Sequence, residues 1–212
     1  MNCDRIARWY RWLEYAGFGG ALQRRRVAFL KDLTDARRVL VLGDGDGRFL
    51  ARLVEQTPAA SIDYVDLSGK MLALAKERAG AERVCYRQGD ALKIPLAEGE
   101  YDLVCTHFFF DCLSDKDAAI LVDRVAPALR REARWVISEF REAGWLGSII
   151  VSGLYFFFQA TTGLRTRRLV DHRALLSRRG FRLVKEDRGA FGLVASELWA
   201  SAGFEDISGT AC

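Results

Sequence analysis

Residues 38–47 read Arg38-Val39-Leu40-Val41-Leu42-Gly43-Asp44-Gly45-Asp46-Gly47. A short run of valine and leucine that stops at glycine is the pattern of a buried strand. Arg48–Gln56 continues as an amphipathic helix, stopped by Thr57-Pro58. Glycines between strand and helix let a ligand come close to the main chain. The helix start adds unpaired N–H groups and the positive end of a dipole. Glycines also make plain tight turns, so the triplet alone decides little. Asp66 strengthens it. This residue ends the next strand-like run, Ser61–Asp66, 23 positions after Gly43. A carboxylate there can accept hydrogen bonds from ribose hydroxyls. Together the features point to a cofactor that contains a nucleoside.

Outward from this stretch the chain alternates strand and helix. A helix runs from Ser68 to about Ala79, with Met71, Leu72, Leu74 and Ala75 on one face. Strands are expected at Arg83–Gln88, Tyr101–Thr106 and Ala133–Phe140. Asp115–Arg130 reads as a helix with Ser114 as its N-cap. Leu169–Arg179 reads as another, ended by Gly180. Two last strands, 181–187 and 191–200, are joined by Arg188-Gly189-Ala190, a hairpin-length loop. Apolar strands alternating with helices imply an α/β fold with a mostly parallel, doubly wound sheet covered on both faces. Ligands in such folds bind at the carboxyl ends of the strands. The loops 43–48, 66–71, 89–95 and 106–113 lie there.

Composition agrees with a single domain. The chain has 212 residues, 50% of them hydrophobic and 28% charged. That excludes a disordered chain, and 3 Pro with 19 Gly exclude a collagen-like one. The net charge of +4 is no nucleic-acid signature. It is unevenly spread: residues 1–40 carry 9 basic and 4 acidic side chains, and 165–182 carry 7 and 1. Solvated helix faces account for this, and a basic rim for an anionic substrate or membrane surface is the functional alternative. Cysteines at 3, 85, 105, 112 and 212 show no C-x-x-C spacing, so no metal site is indicated. Cys85 and Cys105 read as small core residues. The odd cysteine count and the lack of a signal segment suggest a cytoplasmic protein.

The loop departs from the dinucleotide fingerprint G-x-G-x-x-G/A. Its third glycine comes one position early, and Arg48 stands where a small residue belongs. Asp44 and Asp46 suit a pyrophosphate poorly and a cationic cofactor better. No Gly-Lys-Ser/Thr follows, so it is not a Walker A loop. A NAD(P)-linked oxidoreductase is therefore the weaker alternative. Val39–Gly47 instead resembles the first motif of the class I S-adenosylmethionine (SAM)-dependent methyltransferases. Asp66-Leu67-Ser68-Gly69-Lys70-Met71-Leu72 resembles that family's ribose-binding turn. Gly89-Asp90-Ala91 with Ile94-Pro95-Leu96 resembles its adenine-side loop. Tyr101–Val104 and Arg179-Gly180-Phe181 complete a resemblance over about residues 36–200.

The resemblance implies a Rossmann-like seven-stranded sheet with one antiparallel strand near the C-terminus. It implies that Gly43, Gly45 and Gly47 admit the methionine part of the cofactor and that Asp66 holds the ribose. Leu67 and Met71 would pack on adenine, Asp90 and the Ala91 N–H would bond its edge, and Tyr10 would close over it. The family's acidic residue two before the first glycine is Val41 here; Asp44 or a water is the candidate replacement for it. Near the fourth strand, His107 is a candidate base and Asp111 its partner or the proton acceptor; the bland alternative is a structural pair beneath the cofactor. His172 reads as a surface residue. The loop lacks Asp/Asn-Pro-Pro-Tyr and has no Pro before Cys112, which argues against a nucleic-acid substrate.

Residues 143–164 form a run of 22 without a charge. Its glycines, serines and threonines argue against a transmembrane helix. It reads as an apolar lid over 141–165, facing a helical N-terminal cap over 1–35. A core or dimer helix, or a peripheral membrane contact, are the alternatives. The expected protein is one SAM-dependent methyltransferase domain over 1–212, acting on a small hydrophobic molecule. A non-catalytic SAM-binding protein is the reading from another class.

Overall fold

β1 (Arg38–Leu42) has four consecutive buried residues, Val39 to Leu42. A strand can be apolar on both sides only where both sheet faces are covered, which places it at the centre. In the computed structural model, which describes residues 20–80, 82–141, 169–189 and 192–201, β1 lies between β2 (Ser61–Asp66) and β4 (Tyr101–His107). β3 (Val84–Gln88), β5 (Leu129–Phe140), β6 (Arg182–Gly189) and β7 (Val194–Ala200) complete the sheet. The order is β3-β2-β1-β4-β5-β7-β6. β7 runs antiparallel to both neighbours, β5 and β6, and the remaining pairs are parallel. The single antiparallel strand near the C-terminus is as expected.

Helices cover the two faces. α1 (Ala21–Arg26) precedes a short 3₁₀ turn, Leu30–Leu33. α2 (Arg48–Gln56) and α3 (Gly69–Ala79) pack Phe49, Leu50, Leu53, Leu72 and Ala75 against Val39, Val41, Leu103 and Cys105. α4 (Asp115–Ala128) and α5 (His172–Arg178) pack Leu121, Val122, Val125 and Leu176 against Leu40, Leu42, Val104 and Trp135. The chain leaves β1 towards β2 and β3 on one side, and returns through β4 and β5 on the other. The order reverses beside β1, so a crevice opens at the carboxyl ends of β1 and β4.

Several expectations need correcting. Arg188 and Gly189 are not part of the loop of the last hairpin, because they still pair with Ala195 and Val194. Cys85 is exposed rather than buried, because β3 is an edge strand with one open face. α4 ends at Ala128, and β5 already begins at Leu129. His172 is buried, not a surface residue, because Nε2 meets Glu197 Oε2 at 3.0 Å. Tyr10 and the apolar stretch 143–164 lie outside the described residues. No described helix is long and apolar enough to cross a membrane.

Candidate functional site

The turn after β1 passes through three glycines with φ of 63°, 73° and 75° at Gly43, Gly45 and Gly47. L side chains rarely adopt that region. A Cβ at Gly43 would strike the Phe109 ring, which lies over the turn. A Cβ at Gly47 would stand 2.6 Å from Ala75 Cα, so Gly47 is what lets α2 approach α3. Arg48 therefore opposes no packing. Its guanidinium turns back to Asp46 at 3.0 Å. Tyr64 Oη donates to Gly45 O at 2.7 Å and fixes the middle of the turn.

The two loop carboxylates differ. Asp46 is buried and paired with Arg48 and, at 2.9 Å, with Arg78. Burial pushes its carboxyl up, but the two arginines outweigh this and hold it below the usual range. It braces the turn. Asp44, only 6% exposed, has one oxygen on Leu50 N–H at 3.3 Å. Its Oδ1 has no hydrogen-bond partner among the described residues. Burial pushes it up to about 7, although the field of Arg26 opposes the shift.

Asp66 ends β2 half-buried, and Oδ1 accepts from Ser68 N–H at 2.8 Å. Ser68 then caps α3 through Met71 N–H. Leu67 is 39% exposed at this turn, and Met71 is buried behind it. After β3, Asp90 Oδ1 accepts from Leu92 N–H at 3.0 Å, which orders the turn containing buried Ala91. These residues share the carboxyl end of the sheet with the glycine turn.

Beyond β4, His107 is buried, edge-on to Phe49 with ring centroids 4.2 Å apart. Nδ1 lies 2.9 Å from Ser138 Oγ, and Nε2 has no partner among the described residues. Burial and then Arg26 hold it well below its ordinary pKa, so the ring is neutral. No hydrogen bond joins His107 to Asp111. Asp111 keeps partial exposure and accepts from Cys112 Sγ at 3.2 Å. Burial pushes it up to about 6.

Two residues escaped the sequence reading. Glu139, 4% exposed near the end of β5, accepts from the N–H groups of Phe109 (2.9 Å) and Phe110 (2.8 Å) through Oε1. It thereby ties the post-β4 loop to β5 and sets Phe109 over Gly43. Burial, then Asp111, raises it well above the carboxylate range. The rule that selects strand ends would have found it. Arg26, 4% exposed, holds its guanidinium 4.8 Å from the Phe108 ring centroid. Its field reaches Asp44, Asp111 and His107. Nothing in the run Arg24-Arg25-Arg26 distinguishes it. Among the described residues, no group of three or more His, Cys, Asp or Glu could hold a metal ion.

A doubly wound sheet with one reversed strand, a glycine turn and a carboxylate ending β2 define the class I SAM-dependent methyltransferase fold. Residues 39–132 match the family model described as methyltransferase domain. The chain is 36% identical over 94 residues to a demethylmenaquinone methyltransferase of Deinococcus radiodurans, covering 43% of this chain and 39% of the relative. It is 34% identical over 128 residues to the demethylmenaquinone methyltransferase of Thermus thermophilus, covering 58% of this chain and 56% of the relative. The chain thus spans about two-fifths and just over half of these relatives. Its fold is similar to that of the N-methyltransferase NodS of Bradyrhizobium japonicum, solved with S-adenosyl-L-homocysteine. The TM-score is 0.65 at 14% identity, over 85% of this chain and 88% of that one.

Proposed function

We propose that this chain binds SAM in the crevice beside β1 and transfers its methyl group to a small hydrophobic acceptor. The observation that carries the reading is the glycine turn, with three left-handed glycines, set beside Asp66 at the end of β2. The residues fit the cofactor. Gly45 has open space where a Cβ would project, and Asp44 offers a buried carboxyl oxygen without a partner among the described residues. A cationic ligand suits that oxygen.

When bound, SAM supplies a methyl group on a cationic sulfur, which the acceptor takes while the C–S electron pair returns to sulfur. The chain's own work is placement and the exclusion of water. Asp66 accepts from the ribose hydroxyls, Leu67 and Met71 flank the adenine, and Asp90 with the Ala91 N–H reads its edge. Asp111 is the better group to receive a proton from the acceptor, because it is partly exposed while His107 faces Phe49 and Ser138. Neutral His107 then serves to position the end of β4. A quinone-like acceptor agrees with the uncharged stretch 143–164 that follows β5 and with the substrates that name the two relatives.

S-Adenosylhomocysteine should raise the unfolding temperature by several degrees and NADH should leave it unchanged. Asp66→Ala should remove the shift. Stabilisation by NADH alone would overturn the reading. Tight SAM binding with no S-adenosylhomocysteine formed from a panel of quinone-like acceptors would favour a binding protein instead.

A further inference from the structure

A row of polar side chains crosses the sheet. His107 on β4 is in register with Ser138 on β5, Ser138 with Ser196 on β7, and Ser196 with Asp187 on β6. His107, Ser138 and Ser196 are each at most 2% exposed. Polar groups buried so deeply are costly unless hydrogen-bonded. One residue of α1 meets the far side of the row. Arg25 O accepts from Ser196 Oγ at 2.5 Å and lies 3.2 Å from Ser138 Oγ, and the Arg25 guanidinium pairs with Asp187.

Counting donors places the hydrogens. Ser196 spends its proton on Arg25 O. Ser138 Oγ has His107 Nδ1 at 2.9 Å, and Ser196 Oγ and Arg25 O each at 3.2 Å. A neutral imidazole carries a single N–H. Were Ser138 to donate to Nδ1, that N–H would fall on Nε2, which has no partner among the described residues. It would then be a buried donor left unmet. With the proton on Nδ1, Nδ1–H donates to Ser138, Ser138 donates onward, and the chain ends on Arg25 O. This arrangement makes one more hydrogen bond than the other and leaves a lone pair, not an N–H, unmet.

His107 carries the row to the crevice. Its ring stands edge-on to Phe49 of α2, the helix that follows Gly47. The next residue, Phe108, has a φ of 53°, a costly conformation for a bulky side chain, and its N–H donates to Ser138 O at 2.7 Å. That bend leads to Phe109, over Gly43. Resting on the SAM reading above, we propose that Ser138 and Ser196 are positioning residues: they lock His107 in the Nδ1–H tautomer and transmit the seat of α1 to the cofactor turn.

The test begins with the free protein. Long-range proton–nitrogen NMR distinguishes protonated from bare imidazole nitrogens, and the chain has 2 histidines. His107 should carry its N–H on Nδ1 with Nε2 bare. His172 is the contrast: its Nε2 faces Glu197 Oε2 and should be protonated. Ser138→Ala should move the His107 proton to Nε2, and Ser138→Thr, which keeps a hydroxyl, should hold it on Nδ1. The second arm is calorimetry with S-adenosylhomocysteine. Ser138→Ala and Ser196→Ala should each weaken binding about fivefold. The double variant should also lose about fivefold rather than about 25-fold, because the bonds lie in one chain. Ser196 lies two strands away from β4, so a purely local loss there would leave affinity unchanged. Were Ser138→Ala unable to fold, the wild-type tautomer and Ser196→Ala decide. An N–H on His107 Nε2 in the wild type, an Nδ1–H that survives Ser138→Ala, unchanged affinity in Ser196→Ala, or additive losses would each overturn the proposal. Failure of wild-type protein to bind S-adenosylhomocysteine would instead sink the SAM reading, and the tautomers would still decide the lock.

Discussion

At the residue scale, buried carboxylates in this chain follow opposite rules according to their partners. Glu197 on β7 is 2% exposed and fully met: Arg173 Nε donates at 2.8 Å, Trp199 Nε1 at 2.8 Å, and His172 Nε2 lies at 3.0 Å. Burial alone would raise its pKa, but these partners outweigh it and bring it down to about 2. A folded-state value below the unfolded one contributes stability that is complete above about pH 4.5 and is lost as pH falls towards 2. Glu197→Gln should therefore cost on the order of 3 kcal/mol at pH 7. Denaturant titrations of wild type and variant should converge near pH 2; a constant gap down to that pH would mean that packing, not charge, is lost. Asp44 has the reverse sign. Its folded value of about 7 lies above the unfolded one, so its contribution is complete below about pH 4 and fades as pH rises through 7. Glu197 stabilises the fold, whereas Asp44 is a cost retained at the ligand crevice.

At the element scale, the close approach of α2 and α3 depends on one missing side chain. A Cβ at Gly47 would meet the backbone of Ala75 at 2.6 Å, whereas one at Gly45 would meet nothing within 4 Å. Both glycines have positive φ, so alanine brings similar strain of about 1 kcal/mol at either. Only Gly47→Ala must also push two helices apart, at about 1–3 kcal/mol more. Urea unfolding of the two variants should show that difference, and equal losses would mean that α3 yields freely. This packing role was not legible in the sequence, because the neighbour of Gly47 comes from another helix. The central strands were legible, since their apolar runs follow from burial on both faces. Edge positions were harder. Cys85 lies on a strand with one open face, and His172 is buried by Glu197, 25 residues further along the chain. The glycine turn and Asp66 were readable as local motifs. Glu139 was within reach of the rule that selects strand ends, but its role comes from Phe109 and Phe110 some 30 residues away, and nothing local marked Arg26.

At the scale of the whole molecule, the segment that matches the methyltransferase family, 39–132, stops short of the full sheet. It ends within β5, before Trp135, whose ring packs against Phe110 and Phe181. The remaining strands enclose the site from the far side. β7 inserts between β5 and β6, and every one of its residues is buried. Ser196 Oγ donates to Arg25 O at 2.5 Å, so the strand also holds α1, the helix that carries Arg26. Ser138 on β5 reaches both that carbonyl, at 3.2 Å, and His107. Removing β7 would expose the β5 edge and take away the Ser196 contact that holds α1, the helix of Arg26. A fragment of residues 36–132 should thus show no cooperative thermal transition and no stabilisation by S-adenosylhomocysteine, although it contains Gly43, Asp44, Asp66 and Asp90. A chain ending at residue 189 should behave in the same way. Cooperative unfolding of either fragment, read by circular dichroism with and without the ligand, would show that the glycine turn and Asp66 assemble without the last strand. The topology argues otherwise, because the crevice is completed by contacts between the beginning and the end of the fold.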